Sequence, residues 1–231
     1  MPLRATILRL SSGFWILVAI LVLWLLGTRL SHNLNAAEVL TQGMPKDVGN
    51  LVQSLLLTLR AILFGAAVLV WLLDNRRWLK IAALANAALL ALDLLGACAL
   101  LLGELLQGRH YSPAALIGDG ILIIAMNILL FSLLYWIIDS DIEIFAGPEG
   151  KSTWDFLFPQ RASELPGYAQ WKPRYVDYVF LAYSTTVAFS ATDTAPLSRL
   201  AKVLMIIQSV ISLIAIVAVL GLAINSLGSG P

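Results

Sequence analysis

Tyr178-Val-Phe-Leu-Ala-Tyr-Ser-Thr-Thr-Val-Ala-Phe-Ser-Ala-Thr-Asp193 lies mostly within an apolar run, Tyr175 to Ala191, that is too short to cross a bilayer. A spanning helix needs ~20 mostly apolar residues to traverse a hydrocarbon core of ~30 Å. The run begins around Asp177 and is followed by Thr194-Ala-Pro-Leu-Ser-Arg199 and a much longer apolar stretch to Asn225. A short apolar helix, a cluster of hydroxyls and a full-length apolar helix predict a segment that enters the membrane and turns back. Such backbone is tolerated at membrane depth only where it is buried in protein or lines water.

Outward from that stretch, five runs are long enough to span: about 13–30, 51–73, 79–106, 116–138 and 198–224. The fold class expected is all-α, a polytopic membrane helix bundle with five spanning helices and one re-entrant hairpin. It divides into a four-helix transmembrane region over 1–138, an extramembrane interfacial loop over 139–174, and the re-entrant helix, turn and last spanning helix over 175–231. Composition agrees: 59% hydrophobic residues, 13% charged and a mean hydropathy of +0.85 lie far from a soluble domain, whose apolar share sits near ~45–50%. Arg4 and Arg9 precede Phe14-Trp-Ile-Leu-Val-Ala-Ile-Leu-Val-Leu-Trp-Leu-Leu26 as in a signal peptide. No convincing small-x-small site follows directly and Asn35-Ala-Ala is a weak one, so the reading is an uncleaved helix. A net charge of +1, with 15 Lys and Arg scattered through short loops, leaves no basic stripe for nucleic acid.

The order of parts around Thr186 resembles the potassium-channel pore: a short aromatic helix, a Thr-Thr-Val turn, a carboxylate, then a Pro-started membrane helix. Thr186-Val187-Ala188-Phe189-Ser190 stand where that family has Thr-Val-Gly-Tyr-Gly, with Thr185 before them and Asp193 two residues later than the family's aspartate. The resemblance covers roughly residues 175–225. It implies a filter-like turn, an inner helix with Gln208, Ser209 and Ser212 toward one side, and a homotetramer passing monovalent cations. The family's filter presents rings of backbone carbonyls and uses left-handed glycines, a conformation costing other residues roughly 1 kcal/mol or more. Ala188 and Ser190 occupy both glycine positions and Phe189 lacks the tyrosine hydroxyl, so a potassium-selective filter is not expected. A weakly selective or non-selective cation pore is the leading expectation. The other is a non-conducting structural or partner-binding membrane subunit.

Sidedness follows from Lys and Arg in short loops. With the N-terminus inside, Arg4, Arg9, Arg76, Arg77, Lys80, Lys151, Arg161, Lys172 and Arg174 are cytoplasmic. Arg29, Lys46 and Arg109 are outside, together with Arg199 and Lys202 at the start of the last helix. Nine against five favours a cell-membrane protein with a cytoplasmic N-terminus. Trp15, Trp71, Trp78 and Trp136 then share one interface. Potassium channels carry the pore loop on the outer face. Two readings stay open: the loop enters from the cytoplasm, as in ionotropic glutamate receptors, or the charge rule fails here.

A charge near the bilayer centre costs from ~3 kcal/mol upward and persists when paired or functional. The second and third runs are joined by a tight turn around Asn75-Arg76-Arg77-Trp78, and Arg60 and Asp93 average to that centre. They are predicted to face each other as an intramembrane ion pair, chiefly as a structural clamp. Glu104 mirrors to the Lys46–Asp47 interface. Asp119 reads as a helix-opening acid favoured by the dipole, and Asn127 as an interhelical hydrogen bond. Asp139, Asp141 and Glu143 read as a solvated helix end or a cation-gathering vestibule. Thr153-Trp-Asp-Phe-Leu-Phe-Pro159 and Tyr168-Ala-Gln-Trp-Lys172 read as segments lying on the membrane or covering the short helix.

Catalysis has little support. His32 and His110 sit in loops without a paired carboxylate cluster, and Cys98 lies alone in an apolar run as a small core residue. No Gly-rich phosphate loop or nucleophile elbow is present, so no enzyme, cofactor or metal site is expected. Internal repeats typical of secondary transporters are not visible either.

Overall fold

The computed structural model describes residues 2–30, 45–107, 113–139, 154–163, 166–168, 171–191 and 193–228. The described chain is helical apart from one two-stranded sheet. Its elements are α1 (Pro2–Gly27), α2 (Lys46–Leu72), α3 (Arg76–Gln107), α4 (Pro113–Ile138), β1 (Phe156–Leu157), α5 (Pro159–Ala162), a 3-10 turn at Pro166–Tyr168, α6 (Tyr175–Ala188), β2 (Ala195–Pro196) and α7 (Arg199–Gly228). Four helices are long and apolar enough to cross a membrane, within α2, α3, α4 and α7, and the described apolar part of α1, Phe14–Gly27, is shorter.

Local chemistry explains most of the boundaries. α2 and α3 are separated by Asp74 in the left-handed region at φ 51°, and Asn75 Oδ1 then accepts the Trp78 amide at 3.3 Å to start α3. Pro113 opens α4 and Pro159 opens α5, where the missing N–H costs nothing. At α6 the Asp177 carboxylate accepts the Arg174 amide at 2.6 Å. Pro196, read as the first turn of the last helix, instead lies in β2. The cap is Ser198, whose Oγ accepts the Ala201 amide at 3.1 Å.

α4 is the hub, with α1, α3, α6 and α7 packed around it. Trp15, at the middle of α1, stacks on Tyr175 with centroids 6.4 Å apart, Trp136 at the end of α4 meets the same ring at 4.7 Å, and Gly27 at the end of α1 lies beside Met126 midway along α4. α1 and α4 are therefore antiparallel. A Cβ placed on Gly120, early in α4, would touch Leu101, late in α3, so α3 also starts where α4 ends. One end of the bundle thus gathers the α2–α3 turn, the end of α4, the β-sheet, the middle of α1 and the starts of α6 and α7, with Trp15, Trp71, Trp78 and Trp136 on it.

That arrangement moves two charges. β2 pairs antiparallel with β1, Phe156 opposite Pro196 and Leu157 opposite Ala195, and the Leu197 amide donates to Asp155 O at 2.9 Å. The Asp155 amide in turn donates to Asp139 Oδ1 at 3.3 Å. α7 therefore starts at the end where α4 finishes. Arg199 and Lys202 belong with Arg77, Lys80, Arg161, Lys172 and Arg174, not opposite them as the sequence reading had it. The error came from assigning the helix start to the far side of the hairpin.

Gly120 marks the closest approach of α4 and α7, since a Cβ there would overlap Val219 Cγ2. Val is stiff at χ1, so the methyl cannot swing clear cheaply. Gly120→Ala is expected to cost about 1–3 kcal/mol, as overpacking does, read as a lower unfolding temperature in detergent. Adding Val219→Ala removes the overlapping methyl and should return most of the loss.

Candidate functional site

The residues matched to a filter form the end of a helix. α6 continues in α-geometry through Ala188, so Thr185, Thr186, Val187 and Ala188 are its last turn, and the left-handed residue is Phe189 at φ 51°, ψ 30°. The extended backbone that would present a ring of carbonyls is not found over 185–188. Thr185 and Thr186 face inward and are buried, whereas Val187, Ala188, Phe189, Ser190 and Asp193 are exposed. Thr185 Oγ1 donates to Leu181 O at 2.8 Å, a bond within its own helix.

The inward hydroxyls meet a polar network between α4, α6 and α7. Gln208 is fully buried at the centre of it. Its Nε2 donates to Ala182 O at 2.8 Å and to Thr186 Oγ1 at 3.0 Å, and its Oε1 accepts the Tyr135 hydroxyl. Asn127 Nδ2 donates to Ser212 Oγ at 2.8 Å and to Gln208 O at 3.3 Å, which realises the interhelical bond expected of Asn127. Ser132 and Tyr175 hydroxyls pair at 2.9 Å. Gln208 and Ser212 thus serve packing inside one chain, and Ser209 is only half-buried.

Above this network sits a second cluster that the sequence reading missed. Asp139, read as part of a solvated helix end, is fully buried. It accepts the Tyr178 hydroxyl at 2.6 Å and Arg161 Nη1 at 3.3 Å. Arg161 Nη1 also donates to Phe156 O at 2.6 Å, and its guanidinium lies 4.9 Å from the Trp154 ring centroid. Burial pushes the Asp139 carboxyl above its ordinary range, while the Tyr178 hydrogen bond and then the Arg161 charge pull it back. Phe156 and Phe158 pack edge-on to Tyr178, at 6.5 and 5.4 Å, so this part of the 139–174 loop covers α6. The signal was present in spacing: Asn127 and Tyr135 within α4 and Asp139 just past its end fall on one side of the helix. Asp141 and Glu143 lie outside the described residues.

Asp119 does not open α4, which starts six residues earlier at Pro113. It is buried one and a half turns in, beside the close approach at Gly120. The Glu104 side chain, His32 and His110 are outside the described residues. Cys98 is buried among apolar neighbours.

Arg60 and Asp93 lie together, Nη2 to Oδ1 at 2.5 Å, joining α2 to α3, with about a fifth of each side chain exposed. Asn86, one helical face along, donates to Leu63 O at 3.1 Å and to Ala82 O at 2.8 Å. Together these are polar ties between two helices at mid-length. No group of three His, Cys, Asp or Glu side chains able to hold a metal exists among the described residues.

Fold and site together define a helical bundle of membrane-spanning character with two internal polar clusters. Comparison with protein-family models, curated proteins and solved structures returns no match.

Proposed function

We propose that the chain is a non-conducting multi-pass membrane subunit, with a pore-module-like order of parts closed within one chain, serving a structural or partner-binding role in the bilayer. One observation carries this reading. Gln208, the mid-helix polar residue that a pore would turn to water, spends its donor and acceptor on Ala182, Thr186 and Tyr135 inside the chain. The outward face of α7 is instead Val203, Ile206, Val210, Leu213, Val217 and Leu220, all exposed and suited to lipid or to another apolar helix.

In this reading α1 is the fifth span and α6 re-enters from the end bearing Arg77, Lys80, Arg161, Arg199 and Lys202. That basic end is cytoplasmic by the positive-inside rule. A cation pore built by a homotetramer is the second reading. Its support is the exposed end of α6 at Val187 and Ala188, followed by exposed Asp193, since a helix C-terminus carries partial negative charge that favours cations. Planar-bilayer recording of the purified chain separates the two. Silence in Na⁺, K⁺ and Ca²⁺ at all voltages is expected, and unitary currents altered by Asp193→Asn would establish the pore instead.

A further inference from the structure

α6 has a second face that the polar network does not use. Tyr178, Leu181, Ala182 and Thr185 are buried in the bundle, and Val176, Phe180, Tyr183 and Val187, spaced by four, three and four residues, are each more than half exposed. That spacing sets them in one outward stripe along the helix. Membrane helices that pack on one another meet through small residues. This stripe is bulky and half aromatic, which suits lipid at the edge of a bilayer rather than a second helix.

The depth of α6 follows from what it touches. Tyr175 meets Ser132 and Trp136 of α4, Tyr178 meets Asp139, and Ala182 and Thr186 meet Gln208, which itself holds Tyr135. From the helical rise per residue, Ser132 to Asp139 covers about 10 Å and Gln208 lies about 13 Å along α7 from Arg199. Half of a hydrocarbon core is about 15 Å, so α6 stays within one leaflet. Three exposed cations stand at that end: Arg174 just before α6, and Arg199 and Lys202 in the first turn of α7. None of the three has an ion pair with a described carboxylate. Asp177 accepts the backbone amide of Arg174, and the chain described between α6 and α7 adds one exposed acid, Asp193. Arg and Lys side chains reach across apolar surface to place their charge among headgroups.

We propose that α6 and the start of α7 form a docking surface for anionic phospholipids of that leaflet. Acyl chains lie along Val176, Phe180, Tyr183 and Val187, and the headgroup phosphates are held by Arg174, Arg199 and Lys202. It is a surface for several lipids rather than a pocket for one molecule, so the cations need not share a phosphate. The proposal rests on the bilayer-spanning character of α4 and α7, and it stands whether or not the chain conducts.

The test is a thermal-unfolding titration of the full chain in neutral detergent with phosphatidylglycerol, beside parallel titrations with phosphatidylcholine and with glycerol phosphate. A saturable rise in unfolding temperature is expected with phosphatidylglycerol and with neither of the others. Arg199→Gln and Lys202→Gln should each weaken the apparent phosphatidylglycerol affinity about 5-fold, and the pair together about 25-fold. Both side chains are exposed, so unfolding without lipid should not move. Lys46→Gln, an exposed cation at the opposite end of the bundle, should leave the affinity unchanged. An equal effect of phosphatidylcholine overturns the proposal, as does no saturable effect of phosphatidylglycerol or one that the double variant leaves intact. An equal effect of glycerol phosphate would assign the cations to free phosphate instead. A lipid-independent dimer broken by Phe180→Ser would give the stripe to a second copy, which also overturns it.

Discussion

Arg161→Met is expected to destabilise the protein by about 3–5 kcal/mol, the cost of stranding one member of a buried ion pair. Its partner is fully enclosed: the Arg161 and Asp139 side chains are 2% and 0% exposed. Asp139 would keep the Tyr178 hydroxyl and the Asp155 amide but lose the only cation that the described structure places on it. Arg161 also ties Phe156 O to this cluster, so the β1–β2 pairing should loosen with it. Burial already raises the Asp139 carboxyl, and removing Arg161 raises it further.

The sign with pH follows from that direction. A carboxyl whose folded value lies above its unfolded one binds its proton more tightly in the fold. Stability is then fullest below the unfolded value and falls as pH rises through the folded one. The Arg161→Met defect should therefore be larger at about pH 8 than at about pH 5, since a raised carboxyl takes up its proton more readily as pH falls. Asp139→Asn combined with Arg161→Met removes both charges and keeps an acceptor for Tyr178, and should recover most of the loss. Thermal unfolding in detergent across that pH range measures all three. An equal defect at both pH values, with no recovery in the double variant, would show that Arg161 acts through packing alone.

Arg60→Leu is expected to have the next largest effect. The Arg60–Asp93 pair sits at the middle of two long apolar helices, where a stranded carboxylate costs from ~3 kcal/mol upward in hydrocarbon. Its side chains are about a fifth exposed, so part of the charge stays solvated and the loss should be about 2–3 kcal/mol, below that at Arg161. α2 is the least buried of the long helices and contacts only α1 and α3 extensively, so its attachment depends more on this tie than the hub helices depend on any single bond. The yield of folded protein in detergent should drop with Arg60→Leu and return with Arg60→Leu plus Asp93→Leu. Failure of the double variant to recover would mean that the guanidinium is needed for something other than neutralising Asp93.

These two clusters differ in how legible they were. Arg60 and Asp93 are joined by a tight helical turn, so their facing positions follow from counting residues on either side of it. Asp139 and Arg161 are separated by a loop without periodicity, and nothing in their spacing says that the intervening chain folds back over Tyr178. Asp139 looked like an ordinary solvated helix end because most such acids are. The Thr185–Ser190 stretch was ambiguous for a related reason. Hydroxyls after a short helix fit a pore turn, but the same hydroxyls serve equally as hydrogen-bond partners on an inner helical face, and the choice rests on Gln208 more than twenty residues away.

By itself the sequence determined the helical, membrane-spanning character of the chain, the extent of its long apolar helices, the shortness of the helix at Tyr175–Ala188, and the Arg60–Asp93 facing. Each is local: hydrophobic length is summed along one segment, and a tight turn fixes the register of the two helices it joins. Only the tertiary structure decided that Thr186 and Gln208 satisfy each other inside one chain, that Asp139 is enclosed, and that Arg199 and Lys202 lie at the end where α4 finishes. Those outcomes depend on which polar groups meet across elements distant in sequence. In an apolar surround every buried donor and acceptor must find a partner, but the pattern of one segment does not say where that partner comes from.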